Sequence, residues 1–192
     1  MKRKKLLVIK VVIFSLILLT ILLSISPVLQ KKWIYYKDNA ATEIAKGFYA
    51  EPKDSLDVIY LGTSYIRNGI SPMEIWNDYG ITGYVRASAQ QAPVVSYYLM
   101  KEAFKTQSPK IVVYEASMIV QGETSESNNY DIREEKLHEA IDYMKFSKEK
   151  LELVNEIVRN SNIPYLGLLS PVYRYHDRWA DLTEKDFEQD PG

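Results

Sequence analysis

From residue 6 to residue 23 the chain is apolar except for Lys10, Ser15 and Thr20, and the apolar character continues through Ile25, Val28 and Leu29. About 20 apolar residues are needed to cross the roughly 30 Å hydrocarbon layer of a bilayer. The pattern therefore predicts one membrane-crossing helix, with Lys10 snorkelling to the headgroups. Lys2, Arg3, Lys4 and Lys5 precede it, which sets the N-terminus in the cytoplasm and the remainder outside. A cleaved signal peptide is the alternative, since Ser24-Ile25-Ser26 has the small-x-small form of a cleavage site. The length of the apolar core and the Lys31-Lys32-Trp33 border favour the uncleaved, single-pass anchor. On either reading the protein leaves the cytoplasm.

Beyond the anchor the apolar runs shorten to the length of strands. Residues 56–61 (Leu-Asp-Val-Ile-Tyr-Leu) are apolar on both faces from Val58 onward, as a buried strand of a parallel sheet requires. Residues 84–87 and 111–114 predict a second and a third strand, the third also buried in character. Helices are expected between and after them. Ser71-Pro72-Met73-Glu74 combines a cap, a first-turn proline and a capping-box glutamate, with Gly80 as the stop. Pro93 opens an amphipathic stretch to Gln107, Asp131 with Glu134 starts a helix to about Met144, and Ser147 starts another to Arg159. Thr183 begins a last one, and residues 121–129 are polar enough to be a mobile surface loop. Alternation of strand and helix implies an α/β fold with a parallel sheet and right-handed crossovers. The expected organisation is a basic flank and anchor over 1–29, a juxtamembrane connector over 30–53, and one folded domain over 54–192.

Charge narrows the partners. Of 24 basic residues, seven lie in the first 32 positions with no acidic residue among them, leaving 17 basic against 25 acidic in the rest. A folded part that acidic has no basic stripe for nucleic acid. The absence of cysteine excludes disulfides, thiolate catalysis and Cys-based zinc sites, and two histidines without acidic ligand spacing around them imply no metal. No cofactor is implied either.

The candidate chemistry lies at Gly62-Thr63-Ser64, just past the first strand. Ligands of open parallel sheets gather at the strands' carboxyl ends, and a serine there can present a hydroxyl while backbone N–H groups hold an oxyanion. An ordinary turn has the same composition. His138 lies in the charged stretch Glu134-Glu135-Lys136-Leu137-His138-Glu139 and is expected on a solvated helix face. Arg174, His176, Arg178 and Trp179 form a second cluster, suited either to binding an anionic or sugar-like group or to packing the end of the domain with Asp177 or Asp181.

Several segments together resemble the SGNH (GDSL-type) hydrolases, specifically the membrane-anchored SGNH-like proteins of Gram-positive bacteria that are similar to the D-alanyl-transfer protein of teichoic-acid modification. The segments are Leu61-Gly62-Thr63-Ser64, Gly69-Ile70-Ser71-Pro72, Ala87-Ser88-Ala89-Gln90, Ser96-Tyr97-Tyr98-Leu99 and Pro109-Lys110-Ile111-Val112-Val113. The resemblance implies a partial three-layer SGNH-like sheet, Ser64 as nucleophile, and the backbone N–H groups of Ser64 and Ala87 as oxyanion donors. The chain departs from the family's pattern in four places, the first being Ala87, which stands where the family's second block has glycine. Thr63 replaces the usual aspartate, Tyr114-Glu115-Ala116-Ser117 stands where Gly-x-Asn-Asp is expected, and the C-terminal Asp-x-x-His pair is absent. Three functions follow as expectations: a serine esterase or acyltransferase acting on a cell-envelope polysaccharide or teichoic acid; a non-catalytic anchored accessory holding a polymer or a membrane acyltransferase; or the truncated part of a longer enzyme.

Overall fold

A computed structural model describes residues 2–31, 40–122, 130 and 134–187. The chain divides into two compact units, one formed by residues 1–31 with 170–191 and the other by residues 32–169. In the first unit, α1 (Lys2–Leu29) is a continuous helix that includes Pro27. At 1.5 Å per residue it extends about 42 Å. Its hydroxyls are satisfied within the helix, Thr20 Oγ1 donating to Leu16 O and Ser24 Oγ to Thr20 O, each at 2.9 Å. Polar side chains so paired do not prevent an apolar environment. The helix is long and apolar enough to cross a membrane.

The second unit is mixed α/β. It runs α2 (Ala40–Gly47), a 3₁₀ turn at Phe48–Ala50, β1 (Val58–Gly62), α3 (Ser64–Gly69), α4 (Pro72–Tyr79), β2 (Gly83–Ala87), α5 (Pro93–Ala103), β3 (Ile111–Tyr114), α6 (Ser117–Val120), α7 (Glu134–Ile141), α8 (Lys148–Arg159) and α9 (Tyr165–Leu169). The strands form one parallel sheet in the order β2-β1-β3. Register runs from Val58 opposite Gly83 and Ile111 to Gly62 opposite Ala87 and Leu61 opposite Tyr114. Every residue of β1 is buried, because helices cover both faces. Val58 and Tyr60 pack with Val85, Ile66 and Ile75 on the α3 and α4 side. Ile59 and Leu61 pack with Val95 and Leu99 of α5 and Leu153, Val154 and Ile157 of α8 on the other.

The local signals act as expected where the chain itself supplies the chemistry. Ser71 Oγ accepts from Glu74 N, Ser147 Oγ accepts from Lys150 N, and Gly80 ends α4 at φ 68° in the left-handed region that glycine adopts most easily. Other expectations differ. Strand β3 is an edge, and its Ile111 and Val113 side chains are exposed rather than buried. They share a face with Val58 and Tyr60, but α3 and α4 pack over β1 and β2. His138 is only 1% exposed, so it is not a solvated face residue. Its Nδ1 lies 2.7 Å from Asp142 Oδ1. Helix α5 stops at Ala103, four residues before Gln107, whose side chain turns back to accept from Ser55 N and Leu56 N. Residues 40–50, expected in the connector, supply Phe48 to the larger core cluster. Asp131, the expected cap of α7, lies outside the described residues, as does the loop at 123–129.

The C-terminal residues 170–187 belong to the unit that contains α1. They form α10 (Pro171–Arg174), a 3₁₀ turn at His176–Ala180, and α11 (Glu184–Phe187). Ser170 caps α10 by accepting from Tyr173 N at 3.3 Å. All three short elements pack on α1.

Candidate active site

Ser64 occupies the first position of α3, two residues beyond the end of the central strand. The turn into it is built by three residues. Gly62 has φ 150°, and a Cβ there would lie 2.7 Å from the Glu115 Cβ, so glycine lets the chain after β3 approach closely. Thr63 is the N-cap, its Oγ1 accepting from Tyr65 N at 3.3 Å. Glu115, the first residue after β3, clamps the turn. Its Oε2 accepts from Thr63 Oγ1 at 2.6 Å and Thr63 N at 3.3 Å, and its Oε1 accepts from Ser117 N at 2.5 Å. Burial works against ionisation of Glu115, but the donors of Ser117 and Thr63 outweigh it and hold the carboxyl below its ordinary range. The Ser64 N–H is at the first helical position, which has no intrahelical acceptor.

A second carboxylate joins the loop after β2 to the same edge. Glu139 of α7 has a fully buried side chain. Its Oε1 accepts from Arg67 NH1 at 2.7 Å and from Ala89 N at 3.1 Å, tying α3 to the residues after Ala87. Within that loop, Ser88 Oγ donates to Gln91 Oε1 at 3.1 Å, and Gln91 Nε2 donates to Ser96 Oγ at 2.8 Å and Arg86 O at 3.2 Å. The carboxyl edge of the sheet is thus three loops held by two glutamates. On the α5 side of this edge opens an almost wholly apolar cavity of about 210 Å³, lined by Leu61, Tyr97, Met100, Val112, Tyr114 and Ile119 among others.

The structure brings Ser64 and Ala87 to one edge, Ala87 being paired in register with Gly62. Arg174, His176, Arg178 and Trp179 share the short helical segment of the other unit. Arg178 there is committed to structure, NH1 donating to Leu29 O at 2.7 Å and NH2 pairing with Asp186 at 2.9 Å. Trp179 is exposed. The Nδ1 atoms of the two histidines meet other groups than the serine, that of His138 lying 2.7 Å from Asp142 Oδ1 and that of His176 2.9 Å from Tyr173 O. Among the described residues no group of three or more His, Asp or Glu could hold a metal ion. Glu115, Glu139 and Arg67 were not anticipated as site residues. Glu115 had a usable signal, since it directly follows an apolar strand at the edge where ligands gather. Glu139 had none, because its burial depends on how α7 folds back.

No protein-family model, no curated protein and no solved structure matches this chain.

Proposed function

We propose that the chain is a membrane-anchored, SGNH-like serine esterase or acyltransferase of the cell envelope, with its folded part outside the membrane and Ser64 as nucleophile. The observation that carries the reading is Ser64 at the first position of a helix, immediately past the central strand of a β2-β1-β3 parallel sheet. Its hydroxyl would attack the carbonyl of an acyl ester while its own N–H donates to the developing oxyanion, and collapse of that oxyanion breaks the donor's C–O bond so that its alcohol leaves with the serine proton. The apolar cavity at the same edge suits the hydrocarbon part of an acyl group, and the acceptor is a hydroxyl or amine of a cell-surface polysaccharide or teichoic acid. The test is labelling of the full-length protein in detergent by a fluorophosphonate probe. Labelling lost in Ser64→Ala supports the reading, and equal labelling of the two proteins rejects it.

A second reading has its own observation. Glu115, the nearest carboxylate bonded into the turn, is an acceptor fully engaged by Thr63 and Ser117, and serine needs a base to attack well near neutral pH. A serine whose bonded carboxylate is taken up by the turn suits an anchored accessory that holds a polymer or an acyltransferase partner. In that case Ser64→Ala leaves the cellular phenotype intact.

A further inference from the structure

We infer that residues 170–187 form a collar that lies in the outer headgroup layer of the bilayer, clamped on the exit end of α1 and presenting Tyr173, Trp179 and Phe187 to lipid. The inference rests on the reading of α1 as an uncleaved membrane span. It starts from where the helix stops being bare. Every residue of α1 from Arg3 to Ser24 is exposed, whereas Ile25, Ser26 and Val28 are partly covered and Leu29 is fully buried. Counting from Leu6, where the apolar run begins, about 20 residues at 1.5 Å each give roughly 30 Å, which is the thickness of the hydrocarbon layer. The uncovered apolar length therefore ends where hydrocarbon ends. Covering begins in the next turn, at headgroup depth.

What covers the helix there is chemically suited to that depth. Helix C-termini carry carbonyls with no intrahelical donor, and Arg178 NH1 donates to Leu29 O at 2.7 Å, satisfying one of them. The same guanidinium is neutralised by Asp186 at 2.9 Å, and Asp186 Oδ2 in turn accepts from Thr183 N at 2.8 Å and Thr183 Oγ1 at 3.1 Å. The collar is thus latched to the helix end by a bonded Arg–Asp pair that leaves no bare charge at the latch. Around this latch stand Tyr173, Trp179 and Phe187, each about half exposed or more. Three large aromatic side chains left bare on so short a segment are costly in water. Tyr and Trp, with an apolar body and a polar edge, concentrate at the membrane interface, and Phe187 adds a wholly apolar ring beside them. The collar would fix how far α1 projects, with Arg178 as its positioning residue.

The test uses the full-length protein in phosphatidylcholine and phosphatidylglycerol vesicles containing lipids brominated at shallow or deep acyl positions. With Trp33→Phe and Trp76→Phe, Trp179 is the only tryptophan. Shallow bromines are expected to quench it several-fold more than deep ones, with emission shifted to the blue and poor quenching by aqueous acrylamide. Arg178→Ala in the same background is expected to abolish that preference. A companion protein, with all three tryptophans changed to Phe and a single indole introduced by Phe14→Trp, reports on α1 itself and is expected to be quenched best by deep bromines. Free acrylamide access to Trp179 with no lipid quenching, while the companion's indole is deep, overturns the collar alone. A companion indole that no bromine quenches overturns the anchor and the collar with it. Neither outcome bears on labelling at Ser64.

Discussion

Removing the Glu102 carboxylate strands a buried guanidinium, and the size of the effect can be worked from the contacts. Arg86 points from β2 into the α5 side of the core, where its side chain is 3% exposed and that of Glu102 is 7% exposed. NH2 meets Glu102 Oε2 at 2.8 Å, NH1 donates to Leu99 O at 2.8 Å, and the guanidinium carbon lies 4.0 Å from the centre of the Phe48 ring. Tyr49 donates its hydroxyl to the same carboxylate at 2.9 Å. Breaking a buried pair from one side costs about 3–5 kcal/mol, because the remaining charge is neither hydrated nor compensated. The Phe48 face and the Leu99 carbonyl survive Glu102→Ala and offset part of that, which sets the expectation near the lower bound, about 3 kcal/mol.

Replacing both partners has a different expected outcome. Arg86→Met with Glu102→Leu removes both charges while keeping volume, and such exchanges are neutral or stabilising in other buried pairs. The double variant should therefore be more stable than Glu102→Ala alone. The assay is urea unfolding of the full-length protein in micelles followed by near-ultraviolet circular dichroism, which reads side-chain packing rather than the helix of α1. A loss below about 1 kcal/mol for Glu102→Ala, the range of an exposed pair, or a double variant weaker than the single one, would refute the account of Arg86 as a charge held by Glu102.

Three further outcomes are expected. Gly62→Ala puts a Cβ 2.7 Å from that of Glu115 at φ 150°; it should cost at least the roughly 1–3 kcal/mol of a strained backbone and lower any fluorophosphonate labelling of Ser64, both measurable on one preparation. Tyr49 and Tyr84 are each pushed up to about 12, burial being the largest cause. The folded chain then holds protons that the unfolded chain releases near pH 10, so stability is full below that pH and falls as pH rises toward about 12; Tyr84→Phe should flatten part of this loss in alkaline urea titrations. Val113→Lys on the exposed face of β3 should change stability by less than about 0.5 kcal/mol and reduce association of the protein in light scattering, since charge on an exposed edge strand opposes edge-to-edge pairing.

The parts of the fold legible in the sequence are those whose cause is local. Ser71-Pro72 with Glu74, Ser147, Gly80 and the doubly apolar run at Val58 carry their own reasons for ending or beginning an element. The third strand is different. Its residues Ile111 to Tyr114 have the composition of a central strand, but burial of Ile111 and Val113 depends on a neighbour that the strand cannot supply. His138 departs from its expected solvated face for a related reason, and Arg86 carries no local sign of its burial. A charged or polar side chain is excluded from a core on average; His138 meets Asp142 only four residues along the chain, a pair that a solvated helix face would suit equally well, whereas the partner of Arg86, Glu102, lies sixteen residues away on another element. The 170–187 segment reads as the end of the folded domain because proximity to α1 spans about 150 residues of chain, a distance that no window of local sequence can bridge.

Glu115 decides how far location implies competence at Ser64. It stands where a nucleophile's helper belongs, at the carboxyl end of the strand beside β1, yet its oxygens are taken up by the turn that presents the serine. A carboxylate stabilised by three donors and held below its ordinary pKa is a poor proton acceptor, since taking a proton would break the bonds that lower it. Glu115 therefore acts as the architect of the turn. Glu115→Gln, which keeps an acceptor for Thr63 but removes the charge, should disturb the presentation of Ser64 less than Glu115→Ala, as read by the rate of fluorophosphonate labelling.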